Sequence, residues 1–330
     1  MPSSWSGDCF VRAPSSARAD AAVVTAPVGR FFCAAASRAR GDMVFGSAAR
    51  VDRWVLVESP GPWGSRALPQ SRGLDEAVIL ALQQHAKTSH ARVLLIRRPG
   101  RPVSSGSISG GRVVYAADCR PGQERLVRRV VADDADLAAL ELPFGSDADL
   151  AGWTTASAFV GVCTQGAHDA CCAMLGRPVA AALAVSHPDL TWEMSHVGGD
   201  RFAANVLVLP GGHYLGRVPP QEAAAVIDTV LAGRRPSPYY RGKAAWLAPV
   251  QAAQELAAGR LGVTALDALT PRRIDKLEPH RWRVLLDDPD GGTLAAEVEQ
   301  RYGDVMTRLT CHAPHEHAVP SWALLSLGPV

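Results

Sequence analysis

The sequence predicts an α/β fold: an N-terminal α/β layer, a second α/β domain, and a small antiparallel β appendage at the C-terminus. Three observations carry this reading. Short apolar strand-like runs alternate with stretches of helical period up to about residue 240. Gly- and Pro-rich turns separate those runs. The last part of the chain holds closely spaced strand-like runs after one helical stretch. The expected boundaries are 1–30 for a tail, 31–150 for the N-terminal α/β domain, 151–240 for the second domain and 241–330 for the helical and β appendage.

Taken in order, Met1 to about Arg30 is rich in Ser, Ala and Pro without a sustained period and reads as a disordered tail or an over-extended start. Order begins near Phe31. Trp54–Glu58 reads as a buried strand, Leu74–Ser89 has helical spacing through Leu74, Val78, Ala81 and Leu82, and Val93–Arg97 is a second buried strand, which makes a β-α-β unit. Gly111–Ala116 and Arg125–Ala132 follow as strands on either side of the turn-rich Cys119–Gln123. Ala158–Val162 is a strand leading into the Cys163 loop, and Asp169 stands where an N-cap belongs before a helix that runs to about Ser186. Thr191–Ser195, Asn205–Leu209 and Tyr214–Val218 read as strands, and Pro220–Ala232 as a helix. Leu247–Leu269 is helical in period; Trp282–Leu286, Leu294–Gln300, Val305–Cys311 and Trp322–Leu327 complete the appendage. Gly110-Gly111 and Gly291-Gly292 read as turns, and no internal repeat is evident.

Composition narrows the class. A chain of 330 residues, 47% hydrophobic, holds two domains of ordinary size, each able to bury a core. Its longest apolar runs, such as Val179–Val185, fall short of the roughly 20 residues that cross a bilayer, and the first residues lack a continuous apolar stretch. No membrane association is expected. Seven Cys at irregular spacing fit a reducing, cytoplasmic compartment better than a disulfide framework. The net charge is only +2, yet Arg92 to Arg129 holds nine Arg against Asp118 and Glu124. Because those Arg alternate with apolar strand positions and no aromatic platform is interleaved, the stretch reads as a solvated face, and no nucleic acid is expected. An acidic protein partner or a phosphate is the other reading of it.

The most informative segment is Cys163-Thr-Gln-Gly-Ala-His-Asp-Ala-Cys171-Cys172, followed by Trp192-Glu-Met-Ser-His196-Val-Gly-Gly-Asp200-Arg-Phe-Ala. Thiolate and imidazole gathered by a loop and a Gly-rich turn suit iron, where carboxylate alone does not. These two runs, together with Gly176-Arg-Pro and the Val206–Pro210 strand, resemble the sucrase/ferredoxin-like family, whose thioredoxin-like domain carries a [2Fe–2S] cluster. The likeness continues upstream in Cys33–Asp42, Val57–Gly64 and Leu94–Gly100, and downstream in Leu309–Cys311 and Pro320–Trp322, about 300 of the 330 residues in all. The resemblance implies that residues 151–240 are a thioredoxin-like ferredoxin domain, whose β-α-β-β-α order the strand and helix pattern matches. Nothing supports the "sucrase" half of the name, since no pair of Asp/Glu on a shared framework suggests glycoside chemistry.

The resemblance also implies a ligand set. It assigns Cys163 at the end of a strand and Cys172 in the first turns of a helix, where the dipole and free amides favour a thiolate. In many members the other two ligands come from His-x-Gly-Gly-His; here His196 matches the first position and Asp200 replaces the second His. Three outcomes stay open: Asp200 ligates, His168 or Cys171 supplies the fourth bond, or the cluster is lost. Gly198 and Gly199 are expected to let the backbone pass close to the cofactor, Ser195 to orient His196, and Arg201 to tune the potential. His213 is set too far along the chain to join.

Elsewhere, Cys33 and Cys119 read as packing residues, and Cys311-His312-x-x-His315-x-His317 as a loop with weak metal-binding composition. No phosphate-binding loop follows a strand, so no nucleotide cofactor is indicated. The reading is an iron–sulfur electron carrier rather than a stand-alone enzyme, exchanging electrons with a reductase and an acceptor protein. Two rivals stand beside it: a cluster-free thioredoxin-like thiol oxidoreductase using Cys163 and Cys172, and a structural metal-binding or interaction module.

Overall fold

The computed structural model describes residues 30–100, 111–144 and 150–330. The tail expected over 1–30 lies outside the described residues except at Arg30, as does half of the Gly110-Gly111 turn. From Phe31 to Val330 the chain forms one compact unit.

Its elements run α1 (Cys33–Arg40), β1 (Arg53–Glu58), α2 (Glu76–Thr88), β2 (Ala91–Arg97), β3 (Arg112–Asp118), β4 (Arg125–Val131), α3 (Asp134–Ala138) and β5 (Thr154–Thr155). There follow β6 (Phe159–Cys163), α4 (Ala170–Ser186), β7 (Thr191–Met194), β8 (Val206–Leu209), β9 (His213–Leu215), α5 (Ala223–Leu231) and β10 (Tyr240–Lys243). The remainder is α6 (Ala248–Leu261), β11 (Pro271–Glu278), β12 (Arg281–Asp287), β13 (Thr293–Thr307) and β14 (His317–Pro329). The α/β class and the separate C-terminal sheet are as expected.

Strands β1 to β10 make a single sheet in the order β10-β9-β8-β6-β7-β2-β1-β3-β4-β5. β1 and β2 are parallel across α2, as are β6 and β7 across α4. The two halves join where β2 meets β7 antiparallel, Ile96 opposite Met194 and Arg97 opposite Glu193. Arg97 Nε donates to Glu193 Oε2 at 2.7 Å across this joint. Successive residues of β1 serve opposite faces: Trp54 and Leu56 pack with Tyr115, Phe159 and Trp192, while Val55 and Val57 pack under α2 with Val78 and Leu82. Both faces are covered, so the strand reads as a continuous apolar run instead of an alternating one. In the second half Val160 and Val162 pack against Val179 and Leu183 of α4 and Ile227 of α5.

The C-terminal sheet runs β11-β12-β13-β14 and buries Val284, Leu286, Ala296 and Val298 against Val250, Ala253 and Ala257 of α6. Several expected bounds shift. The helix expected over Leu247–Leu269 stops at Leu261, with Gly262 at a φ of 72° closing it. The strand expected over Val305–Cys311 is instead the end of β13, which Cys311 lies beyond. Among the described residues no helix is long and apolar enough to cross a membrane. The Arg-rich stretch is largely engaged: Arg97 with Glu193, Arg112 with Asp134, and Arg120 with Asp118.

Candidate metal centre

β6 delivers Cys163 to the end of the central sheet, and the chain turns through Thr164–His168 into α4. Asp169 caps that helix, its Oδ1 accepting the Cys171 N–H at 2.9 Å, as the residue type and position predict. Gly176, on the second turn, brings α4 against the end of β6; a Cβ there would run into the Cys163 carbonyl. Cys172 therefore faces Cys163 from the helix while β7 and its following turn bring His196 from the other side. The donor atoms of Cys163, Cys172 and His196 all lie within 4.8 Å of one another.

The turn after β7 is held by residues far away in sequence. Gln165 Oε1 accepts the His196 N–H at 2.7 Å, and Arg92 donates to the carbonyls of His196 at 2.7 Å and Val197 at 3.3 Å. Gly198 and Gly199 have φ of 99° and 81°, left-handed values that a side chain resists. Beneath them lies Arg241, only 1% exposed, which donates to Gly198 O and Asn205 Oδ1, both at 2.9 Å. Asn205 Nδ2 in turn donates to Gly199 O at 2.9 Å. A Cβ on Gly199 would collide with the Arg241 guanidinium.

Asp200 is buried beside this group. Cys172 Sγ donates to its Oδ1 at 3.3 Å, His196 Nδ1 lies 2.9 Å from the same oxygen, and His168 Nε2 lies 3.7 Å from Oδ2. The His168 and His196 rings stack at 3.7 Å between centroids.

The charges follow from these contacts. The hydrogen bond from Cys172 lowers Cys163 to about 5 against the penalty of burial, with His196 adding to the shift, while Cys172 is raised as the donor of the pair. Burial opposes a charged imidazole, but Asp200 and the Cys163 thiolate outweigh it and raise His196 to about 9. Burial would also raise Asp200, yet His196, His168 and the Cys172 thiol hold its carboxyl below the usual carboxylate range. Cys163, Cys172 and His196 thus form one group that could hold a metal ion, and His168, His196 and Asp200 form another that shares the imidazole.

The other expected residues are placed as follows. Ser195 Oγ accepts the Leu95 N–H at 3.0 Å, tying the turn to β2. Arg201 lies over the Phe202 ring with its Nε 3.7 Å from Asp42. His213 is buried against the Tyr240 hydroxyl at 3.0 Å and joins no ligand group among the described residues. Cys119 is buried in the central core, as a packing residue is. Two expectations need correction. Cys171 faces away from Cys172, toward Cys33 and Cys311, so it belongs to a different group from His196. Cys33 is packed in a core cluster, as a packing residue is, and also stands in a group with Asp169 and Cys171 that could hold a metal ion; Cys311 joins that group instead of His312, His315 or His317. Arg241, Gln165 and Asn205 went unread because nothing local in the sequence marks their contacts.

A low open cleft of about 500 Å³ adjoins the centre, lined by Arg66, Arg92, Gln165, Ser195 and the two stacked histidines. It gives the imidazole edge its access to solvent.

A sequence model of the sucrase/ferredoxin-like family matches residues 44–242, well over half of the chain. No curated protein and no solved structure matches it. The matched stretch carries Cys163, Cys172, His196 and Asp200 together with the sheet that assembles them, and the chain belongs to the sucrase/ferredoxin-like family.

Proposed function

We propose that this protein is a one-electron carrier whose [2Fe–2S] cluster is held by Cys163, Cys172, His196 and Asp200 on a thioredoxin-like half of the sheet. The observation that carries the reading is the group formed by Cys163, Cys172 and His196, whose donor atoms lie within 4.8 Å of one another with both sulfurs buried. Two cysteine sulfurs, one of them lowered toward the thiolate, beside an imidazole are the donor types that iron–sulfur ligation uses. When bound, the cluster supplies the one-electron couple. The β6-α4-β7-β8-β9-α5 succession, with its 4-3-1-2 strand order β9-β8-β6-β7, supports the thioredoxin-like assignment.

The chain's own residues supply the rest. Asp200 takes the place of a second neutral imidazole and adds negative charge, which favours the oxidised state. Arg241, Asn205 and Gln165 fix the His196 turn, so the ligands need little rearrangement between redox states. The cleft beside His168 and His196 is where reductase and acceptor proteins would approach, with Arg66 and Arg92 offering positive charge to them.

The thiol oxidoreductase reading draws support from the lowered Cys163. Against it, Cys163 is 1% exposed and Cys172 0%, so neither sulfur is within reach of a substrate disulfide. Anaerobic purification decides the matter. Iron and acid-labile sulfide should be present in equal amounts, and Cys163→Ser or Cys172→Ser should abolish both while far-ultraviolet circular dichroism stays near wild type. Iron without sulfide would replace the cluster with a single ion, and a colourless, iron-free protein would leave the thiol reading standing.

A further inference from the structure

We propose that Cys33, Cys171, Cys311 and Asp169 form a second metal site, a tetrahedral zinc position separate from the Cys163–Cys172–His196 centre. It stands independently of the electron-carrier reading. Three segments distant in sequence meet there: the start of α1, the first turn of α4 and the loop after β13. Cys33 Sγ lies 3.8 Å from Cys171 Sγ and 3.6 Å from Cys311 Sγ, and Cys171 and Cys311 are 3.4 Å apart. A tetrahedral zinc with bonds of about 2.3 Å holds its sulfurs about 3.8 Å from one another. The Asp169 oxygens are 3.8 and 3.7 Å from Cys33 Sγ, where a ligating oxygen would sit about 3.5 Å from each sulfur.

The surroundings call for a cation. All four residues are buried, and Asp169 is 0% exposed. Its oxygens accept the backbone N–H groups of Cys171 at 2.9 Å and Cys311 at 2.7 Å. The ion pairs of this region go instead to Asp42, from Arg40 and Arg201, and to Asp200. A buried carboxylate among three thiols, with no ion pair to it among the described residues, is expensive, and a zinc ion that displaces the thiol protons removes the expense. A disulfide is the poorer account, because it would bring two sulfurs to about 2.05 Å and strand the third.

Cys33 and Cys311 lie outside the stretch matched by the family, residues 44–242. The site would therefore fasten both flanks of the chain to the residue adjoining Cys172.

The test uses the full chain. Wild type, purified without added metal and dialysed, should carry a single equivalent of zinc by elemental analysis. Cys33→Ser and Cys311→Ser should lose that zinc and keep iron and sulfide, whereas Cys163→Ser should lose iron and sulfide and keep the zinc. Cobalt(II) added to zinc-stripped protein should give the intense visible bands of a tetrahedral thiolate site, and the near-isosteric Asp169→Asn should weaken cobalt binding at least tenfold. Wild type free of zinc and unable to bind cobalt would overturn the proposal, as would zinc retained in the Cys33→Ser/Cys311→Ser double variant. A disulfide among the three found by thiol counting would do the same.

Discussion

Asp200 stands where the family resemblance leads one to expect a second imidazole, and its neighbours are arranged around its charge. Cys172 donates to it and both histidines lie beside it. If Asp200 binds iron, Asp200→His replaces an anionic ligand with a neutral one and should raise the reduction potential by about 100 mV or more, while Asp200→Ala should bleach the protein. A visible spectrum unchanged in Asp200→Ala would take Asp200 out of the ligand set and leave the fourth bond to His168. A second residue-scale prediction concerns His213, which burial, reinforced by Lys243 and Arg235, depresses to about 3. With an unfolded value near 6.5, the unfolded chain binds a proton between about pH 6.5 and 3 that the folded chain refuses. The stability is thus fully present above about pH 6.5 and falls as pH drops below it, by up to about 1.4 kcal/mol per unit from this group. His213→Gln should flatten that acid limb in urea melts; an identical slope in the variant would rule His213 out as its source. That Cys163, Cys172 and His196 come together was legible because each sits in a local motif. Cys33 and Cys311 were not, because they are 278 residues apart and only the fold pairs them.

At the scale of elements, the centre depends on how closely α4 approaches β6. Gly176→Ala would press a methyl group into the Cys163 backbone, which cannot swing aside as a side chain can. It should destabilise the protein by about 1–3 kcal/mol and lower iron content. Gly259→Ala in α6 is the control: nothing lies within 4 Å of the added Cβ, so it should stabilise by about 0.5–1 kcal/mol. Equal effects from the two, read as shifts of the urea midpoint, would remove close packing as the reason for Gly176. The helices and strands read from the sequence are those with clear periods, such as α2 and β1. Five elements escaped notice: α3 and β5 are only five and two residues long, and the other three were hidden for physical reasons. α1 presents Ala-Ala-Ser-Arg without an apolar stripe. β10 reads as polar, yet all four of its residues are buried, because Arg241 bonds the Gly198 turn and Lys243 pairs with Glu124. β11 is an exposed edge rich in Arg, Asp, Lys and Glu, a composition that guards an edge from pairing.

Across the whole molecule, the stretch 44–242 matched by the family coincides with the large sheet, from just before β1 into β10. That sheet does not divide near residue 150. β7, which leads into His196, pairs with β6 on one side and with β2 on the other, and Ser195 is hydrogen-bonded to Leu95 in β2. Arg92 and Arg97 of β2 reach the His196 turn and Glu193. The half that holds all four proposed iron ligands therefore leans on the half that holds none. Residues 151–240 expressed alone would leave β7 an open apolar edge, a template for intermolecular pairing, and would lose both arginines. The excised segment should aggregate and bind no iron, while residues 31–330 remain monodisperse and coloured. In the intact chain, amide exchange should protect β2 and β7 equally, as members of one cooperative unit. A soluble, iron-bearing 151–240 fragment, or β7 amides protected far longer than those of β2, would mean that the ligand-bearing half keeps its own fold and the joint between β2 and β7 is incidental to it.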